Sequence, residues 1–174
     1  DPVVMLTFGT GVGGAAIVRG EIYRGAGGEH PELGHVPVDP NGPQCYCGIR
    51  GCLESLASGT AIAEVGAAAG FPDAPAVFAA AAMDEGAAQE TVKRAVNAAA
   101  TAAWTFCHTF LPQRLVLGGG IMEEHFALFA AAIHEQLATA TQFTRSGVSV
   151  VRAALGNDAG LVGADVVQAG RFSR

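Results

Sequence analysis

Between Gly27 and Glu54 the sequence reads GGEHPELGHVPVDPNGPQCYCGIRGCLE, and three of the four cysteines and two of the five histidines fall inside it. His35, Cys45, Cys47 and Cys52 follow the pattern H-x9-C-x-C-x4-C. Three thiolates and one imidazole make a sufficient tetrahedral shell for Zn²⁺, and a shell closed by four protein ligands is structural rather than catalytic. Gly48 and Gly51 let the backbone reverse between the last two thiolates. The plainer alternative is a chance cluster of reduced cysteines, against which stand three thiols in eight residues with glycines between them. A histidine and a single C-x-C favour zinc over an iron–sulfur cluster. Metal binding would also supply folding energy to a segment rich in glycine and proline.

Glu32 and Glu54 flank these ligands, and neither is needed by the metal. If the segment, residues 35–52, folds about zinc, both carboxylates and the second ring nitrogen of His35 can converge on one pocket. That is a set of groups able to sort the hydroxyls of a small polar ligand such as a sugar. The competing role for Glu32 is to orient the metal-bound imidazole.

The elements that must hold this segment are legible from periodicity. Val3 to Phe8 is a continuous apolar run, as in a buried strand. The next residues, Gly9-Thr10-Gly11-Val12-Gly13-Gly14, spell G-x-G-x-x-G, but a dinucleotide fingerprint must open a helix. Here Ala15–Arg19, Gly20 and Glu21-Ile22-Tyr23 read as strand, turn and strand. The glycines therefore predict a hairpin turn, whose backbone N–H groups and Thr10 hydroxyl could still cradle an anion; a tight turn needing glycine is the simpler reading. Short helices are expected over Cys52–Ala57, from Ser58 or Thr60 through Ala68, and over Pro75–Met83. A long amphipathic helix follows over Gly86–Phe110, then a strand over Arg114–Leu117, a helix over Glu123–Ala140, a third-layer strand over Val148–Val151 and a last helix over Ala159–Ala169. Asp158 reads as the N-cap of that last helix. Three antiparallel strands followed by helices and then strand–helix–strand–helix predict an α/β sheet with helices packed against it.

Composition bounds the function. With 174 residues, half of them hydrophobic and 15% charged, the chain can bury a core. A net charge of −6 argues against a nucleic-acid surface, and no apolar run reaches the ~20 residues of a membrane span. The start at Asp1, without a charged leader, predicts no signal peptide and suggests a piece of a longer protein. Unpaired cysteines predict a reducing, cytoplasmic setting, with Cys107 as a small buried hydrophobe.

The stretch HPELGHVPVDPNGPQCYCGIRGCLESLASG, preceded by GTGVGG, resembles the signature of the ROK family of bacterial sugar kinases and related repressors. The resemblance extends to LGGGI at 117–121 and ALGNDAGLVGA at 154–164. It implies an actin-like, ribonuclease H-like fold, with residues 1–174 forming the C-terminal lobe. It further implies that Glu32, His35 and Glu54 contact hexose hydroxyls, with His30 less directly, and that His35, Cys45, Cys47 and Cys52 hold zinc. Gly9, Thr10 and Gly11 would face the phosphates of ATP, and Gly119 and Gly120 would line the adenosine site. The aspartate general base and the D-x-G-G-T loop belong to a first lobe this chain does not match, and Asn157-Asp158-Ala159 only imitates the family's catalytic N-D-A. The implied function is that of an ATP- and Mg²⁺-dependent hexose kinase of glucokinase or fructokinase type, inactive without its other lobe. The alternatives are the effector-binding domain of a repressor and, more weakly, a zinc-stabilised assembly module. A homodimer through this lobe is implied as well.

Overall fold

The computed structural model describes residues 2–140 and 147–159. Its centre is a five-stranded sheet in the order β3-β2-β1-β4-β5. Strand β1 (Val3–Phe8) pairs antiparallel with β2 (Val12–Val18), which pairs antiparallel with β3 (Glu21–Ile22). On its other side β1 pairs parallel with β4 (Arg114–Gly118), and β4 parallel with β5 (Ser149–Arg152). This mixed α/β arrangement is the layered sheet the periodicity predicts, in the actin-like form the family resemblance implies. Strand β5 is the edge of this same sheet rather than part of a third layer.

Alternation along β1 is strict: Val4, Leu6 and Phe8 are fully buried while Val3, Met5 and Thr7 are only partly so. Each residue in a strand faces opposite its neighbour, so an unbroken apolar run still has an inner and an outer row. The inner row packs on helix α5 (Gly120–Ala138), where Phe8 meets Phe129 with ring centroids 5.6 Å apart. Helix α5 opens at Gly120, three residues earlier than the periodicity predicts, because Met122 and Ile121 already pack on the sheet.

Helices α1 (Leu53–Ala57), α2 (Gly59–Ala68) and α3 (Ala74–Ala81) lead to the 25-residue α4 (Gly86–Phe110). Ser58 caps α2 by accepting from the Ala61 N–H, and Asp73 caps α3 in the same way from Ala76. The alanines of α4 at 95, 98, 99, 100, 102 and 103 are all buried, which lets neighbouring helices approach closely. Asp158 ends a short 3-10 turn over Gly156–Asp158, and the helix it was expected to cap lies outside the described residues.

Candidate functional site

Two adjacent parallel strands end on the same side of the sheet, and each runs into glycine. After Phe8 comes the turn Gly9–Gly11, and after Gly118 comes Gly119, the residue that caps α5 with φ +89°. The start of α2 is tied to the first turn: Gly59 N–H donates to Gly9 O at 2.7 Å and the Thr60 hydroxyl to Thr10 O at 2.8 Å. The carboxyl ends of parallel strands are where open α/β sheets receive ligands.

The turn itself is shorter than expected, since Gly13 and Gly14 already belong to β2. Its amides are not all available. Gly9 N–H donates to Gly11 O at 2.9 Å and Val12 N–H to Glu54 Oε2 at 2.8 Å. The N–H groups of Thr10 and Gly11 have no partner among the described residues, and both residues line a cleft of about 450 Å³. A Cβ on Gly11 would stand 2.6 Å from Glu54 Oε2, so a side chain there would press on the carboxylate that holds Val12.

The cysteine segment is less irregular than its composition suggests. Two isolated bridges, Pro37 with Cys52 and Gln44 with Arg50, make it a small antiparallel ribbon. Backbone bonds from Val38 to Gly51 O (2.8 Å) and from Cys45 to Ile49 O (2.9 Å) hold it, and Arg50 Nη1 donates to Gly42 O at 2.9 Å. Gly48 and Gly51 have φ of +94° and +63°, and a Cβ on Gly51 would collide with Asp39 O. Hydrogen bonds thus fix the ribbon's path, and the four predicted ligands gather at one end of it.

The ligand atoms of His35, Cys45, Cys47 and Cys52 all lie within 4.8 Å of one another. Cys45 Sγ is 3.5 Å from His35 Nδ1, and Cys47 Sγ is 3.3 Å from Cys52 Sγ. Ligands about 2.0–2.3 Å from a tetrahedral zinc lie roughly 3.5–3.8 Å apart, so the set fits the ion with small adjustment. All four cysteines of the chain are free thiols. Burial, aided by the neighbouring sulfurs, pushes the Cys52 thiol up to about 12, whereas the Ile49 backbone N–H lowers Cys47. Cys107, raised to about 11 by burial, is inert core, as its helical position predicts.

Of the polar residues expected around this centre, the structure brings two into direct range. His35 Nε2, the nitrogen turned away from the thiols, lies 4.0 Å from Glu54 Oε1, with the two side chains 14% and 17% exposed. Glu54 therefore faces the imidazole with one oxygen and holds the glycine turn with the other. Glu32 is exposed at the head of the 3-10 turn Leu33–His35, where its carbonyl accepts from the His35 N–H at 3.0 Å and its carboxylate makes no cap hydrogen bond. His30 is exposed and bonded to Arg24 Nη1 at 2.8 Å.

Tyr46 is the residue that sequence reasoning missed. Its hydroxyl is 3.0 Å from His35 Nε2 and its ring meets the imidazole edge-on. The Glu54 carboxylate, chiefly, raises its pKa, with smaller contributions from Cys45 and Glu32, so Glu32 is close enough to be felt. The signal that could have found it is its position between Cys45 and Cys47, which places its Cα beside the thiol cluster.

The ROK family profile matches residues 1–169. The chain belongs to the ROK family. It is similar to a glucokinase of Thermotoga maritima, 38% identical over 94% of this chain and 57% of that protein. It is also similar to an N-acetylmannosamine kinase of Escherichia coli O157:H7, 34% identical over 97% of this chain and 57% of that protein. Among solved structures, a ROK hexokinase from Thermus thermophilus matches with a TM-score of 0.81 and 32% identity, covering 94% of this chain and 57% of that one. A ROK family transcriptional regulator matches with a TM-score of 0.68 and 26% identity, covering 87% of this chain and 41% of that one. The chain thus spans 57% of the length of the two curated relatives. Among the described residues, no helix is long and apolar enough to cross a membrane.

Proposed function

We propose that this chain is the sugar-binding lobe, and part of the ATP-binding lobe, of a hexose kinase that phosphorylates the sugar 6-hydroxyl. The observation that carries this reading is the double use of Glu54. One carboxylate spans from His35 Nε2 to the N–H of Val12, so the wall offered to a sugar and the turn offered to phosphates are one rigid unit. Kinase relatives support the reading.

In this account His35, Cys45, Cys47 and Cys52 hold a zinc ion whose contribution is to fix the ribbon and the imidazole. With Nδ1 on the metal, Nε2 carries the ring proton and donates to a sugar hydroxyl, while Glu54 and Glu32 accept from neighbouring hydroxyls. His30 lies further out. Gly9, Thr10 and Gly11 face the phosphates of Mg²⁺-bound ATP, and Gly119 and Gly120, at the N-terminus of α5, line the adenosine side. Residues 1–174 supply no general base, which a preceding lobe would bring. Orientation of the hexose against the phosphates is this lobe's share of catalysis.

The test is to join the chain to a ROK first lobe and assay ATP-dependent phosphorylation of glucose, fructose, mannose and N-acetylmannosamine. Turnover of at least one sugar is expected, and a folded, zinc-loaded protein silent on all four would remove the kinase reading. The likeness to a transcriptional regulator favours a second reading, an effector-binding domain, in which a hexose binds but no phosphate is transferred. A winged helix-turn-helix upstream would decide for it.

A further inference from the structure

The outward nitrogen of His35 is engaged by a side chain of the same ribbon. Tyr46 Oη lies 3.0 Å from Nε2, the rings meet edge-on with centroids 5.0 Å apart at 88°, and Glu54 Oε1 is 4.0 Å from the same nitrogen. The directions of these bonds follow from the groups. Nδ1 is turned to the thiols; with zinc held there Nδ1 would give its lone pair to the ion, which would leave Nε2–H to donate and the Tyr46 oxygen to accept. The Tyr46 proton is left for Glu54, which, as a carboxylate, only accepts. A secondary alcohol of a sugar set between His35 and Glu54 would make the same two bonds.

We propose that Tyr46 is a built-in substitute for a ligand hydroxyl, holding the His35–Glu54 position until a polyhydroxylated ligand displaces it. The proposal rests on the reading of His35 and Glu54 as hexose contacts. Displacement is physically inexpensive because Tyr46 is 83% exposed and gives up little buried surface when it swings out. Its backbone cannot follow, being fixed between Cys45 and Cys47, so the motion is confined to the side chain. There is room for the ring in the adjoining cleft of about 450 Å³, which Tyr46 lines together with Gln44, Ser58, Glu64 and Arg94. Arg94, one of the residues lining this cleft, has its Nε buried without a hydrogen-bond partner among the described residues. Tyr46 therefore sets an affinity threshold: a ligand must outcompete an internal hydroxyl before it binds.

The experiment is calorimetric titration of the zinc-loaded chain and its Tyr46→Phe variant with glucose, mannose and fructose. NMR of labelled tyrosine rings accompanies it. Phenylalanine keeps the edge-on ring contact and removes only the competing hydroxyl. Tyr46→Phe is expected to bind hexose about 3- to 10-fold more tightly, the worth of one net hydrogen bond. In the wild type, sugar should shift the Tyr46 ring signals and leave those of Tyr23, the other tyrosine, which packs against Phe110. Equal or weaker binding by Tyr46→Phe, or Tyr46 signals unmoved by bound sugar, would overturn this proposal alone. Absence of binding in both proteins would overturn the hexose reading together with it.

Discussion

Glu54 joins the His35 end of the cysteine ribbon to a glycine turn, and substitution there tests both connections. In Glu54→Gln the amide oxygen can still accept from Val12 N–H, but its NH₂ group then meets the Nε2–H of His35, donor against donor. Hydrogen bonds to a charged group are worth about 1.5–3 kcal/mol, so hexose affinity should fall roughly 10- to 100-fold while the fold persists. Calorimetry with circular dichroism checks both halves; unaltered affinity would take Glu54 out of the pocket. The sequence displayed the four candidate ligands plainly, because a metal shell would dictate such a spacing of thiols and imidazole. It hid the partner of Glu54, since a bond to the backbone N–H of Val12, 42 residues away, leaves no side-chain signature. It hid Tyr46 for another reason: a tyrosine beside a metal ligand is equally compatible with pointing into solvent.

At the scale of elements, α3, α4 and α5 meet at a stacked pair, Phe78 and His125, with ring centroids 3.8 Å apart and planes 15° from parallel. Burial lowers the pKa of His125 below its ordinary 6.5, opposed in part by Glu124. The unfolded chain therefore binds this proton more readily than the folded one, so the stabilisation is full above pH 6.5 and is lost as the pH falls below it. Denaturant unfolding at pH 7 and pH 5 should show a smaller loss for His125→Gln than for the wild type. Equal losses would mean the stack does not discriminate against the imidazolium. The helices themselves were readable where a cap or a terminator marks them, as at Ser58 for α2 and at Pro112 just beyond α4. The start of α5 was misplaced because Gly119 and Gly120 read as a loop, although the first is a cap with positive φ. Which sheet β5 joins was equally hidden, for strand pairing is a long-range choice that a four-residue segment does not encode.

For the whole molecule, one side of the sheet collects the glycine turn, Gly119, the start of α2 and the cysteine ribbon, and on the proposed reading a first lobe closes over that side. Joined to a first lobe, it should transfer phosphate from ATP to a hexose; alone, it should bind sugar and turn over almost none, because in-line transfer depends on positioning from both sides. Self-association of the chain is a separate expectation, checked by sedimentation of the zinc-loaded chain. All of these depend on a metal giving the ribbon its shape at the ligand end. The most direct test is the metal content of the purified, folded chain by elemental mass spectrometry. The account predicts about one zinc ion per chain, lost together with hexose binding when Cys47 is changed to serine. A chain that is folded and binds hexose with no metal present would contradict it.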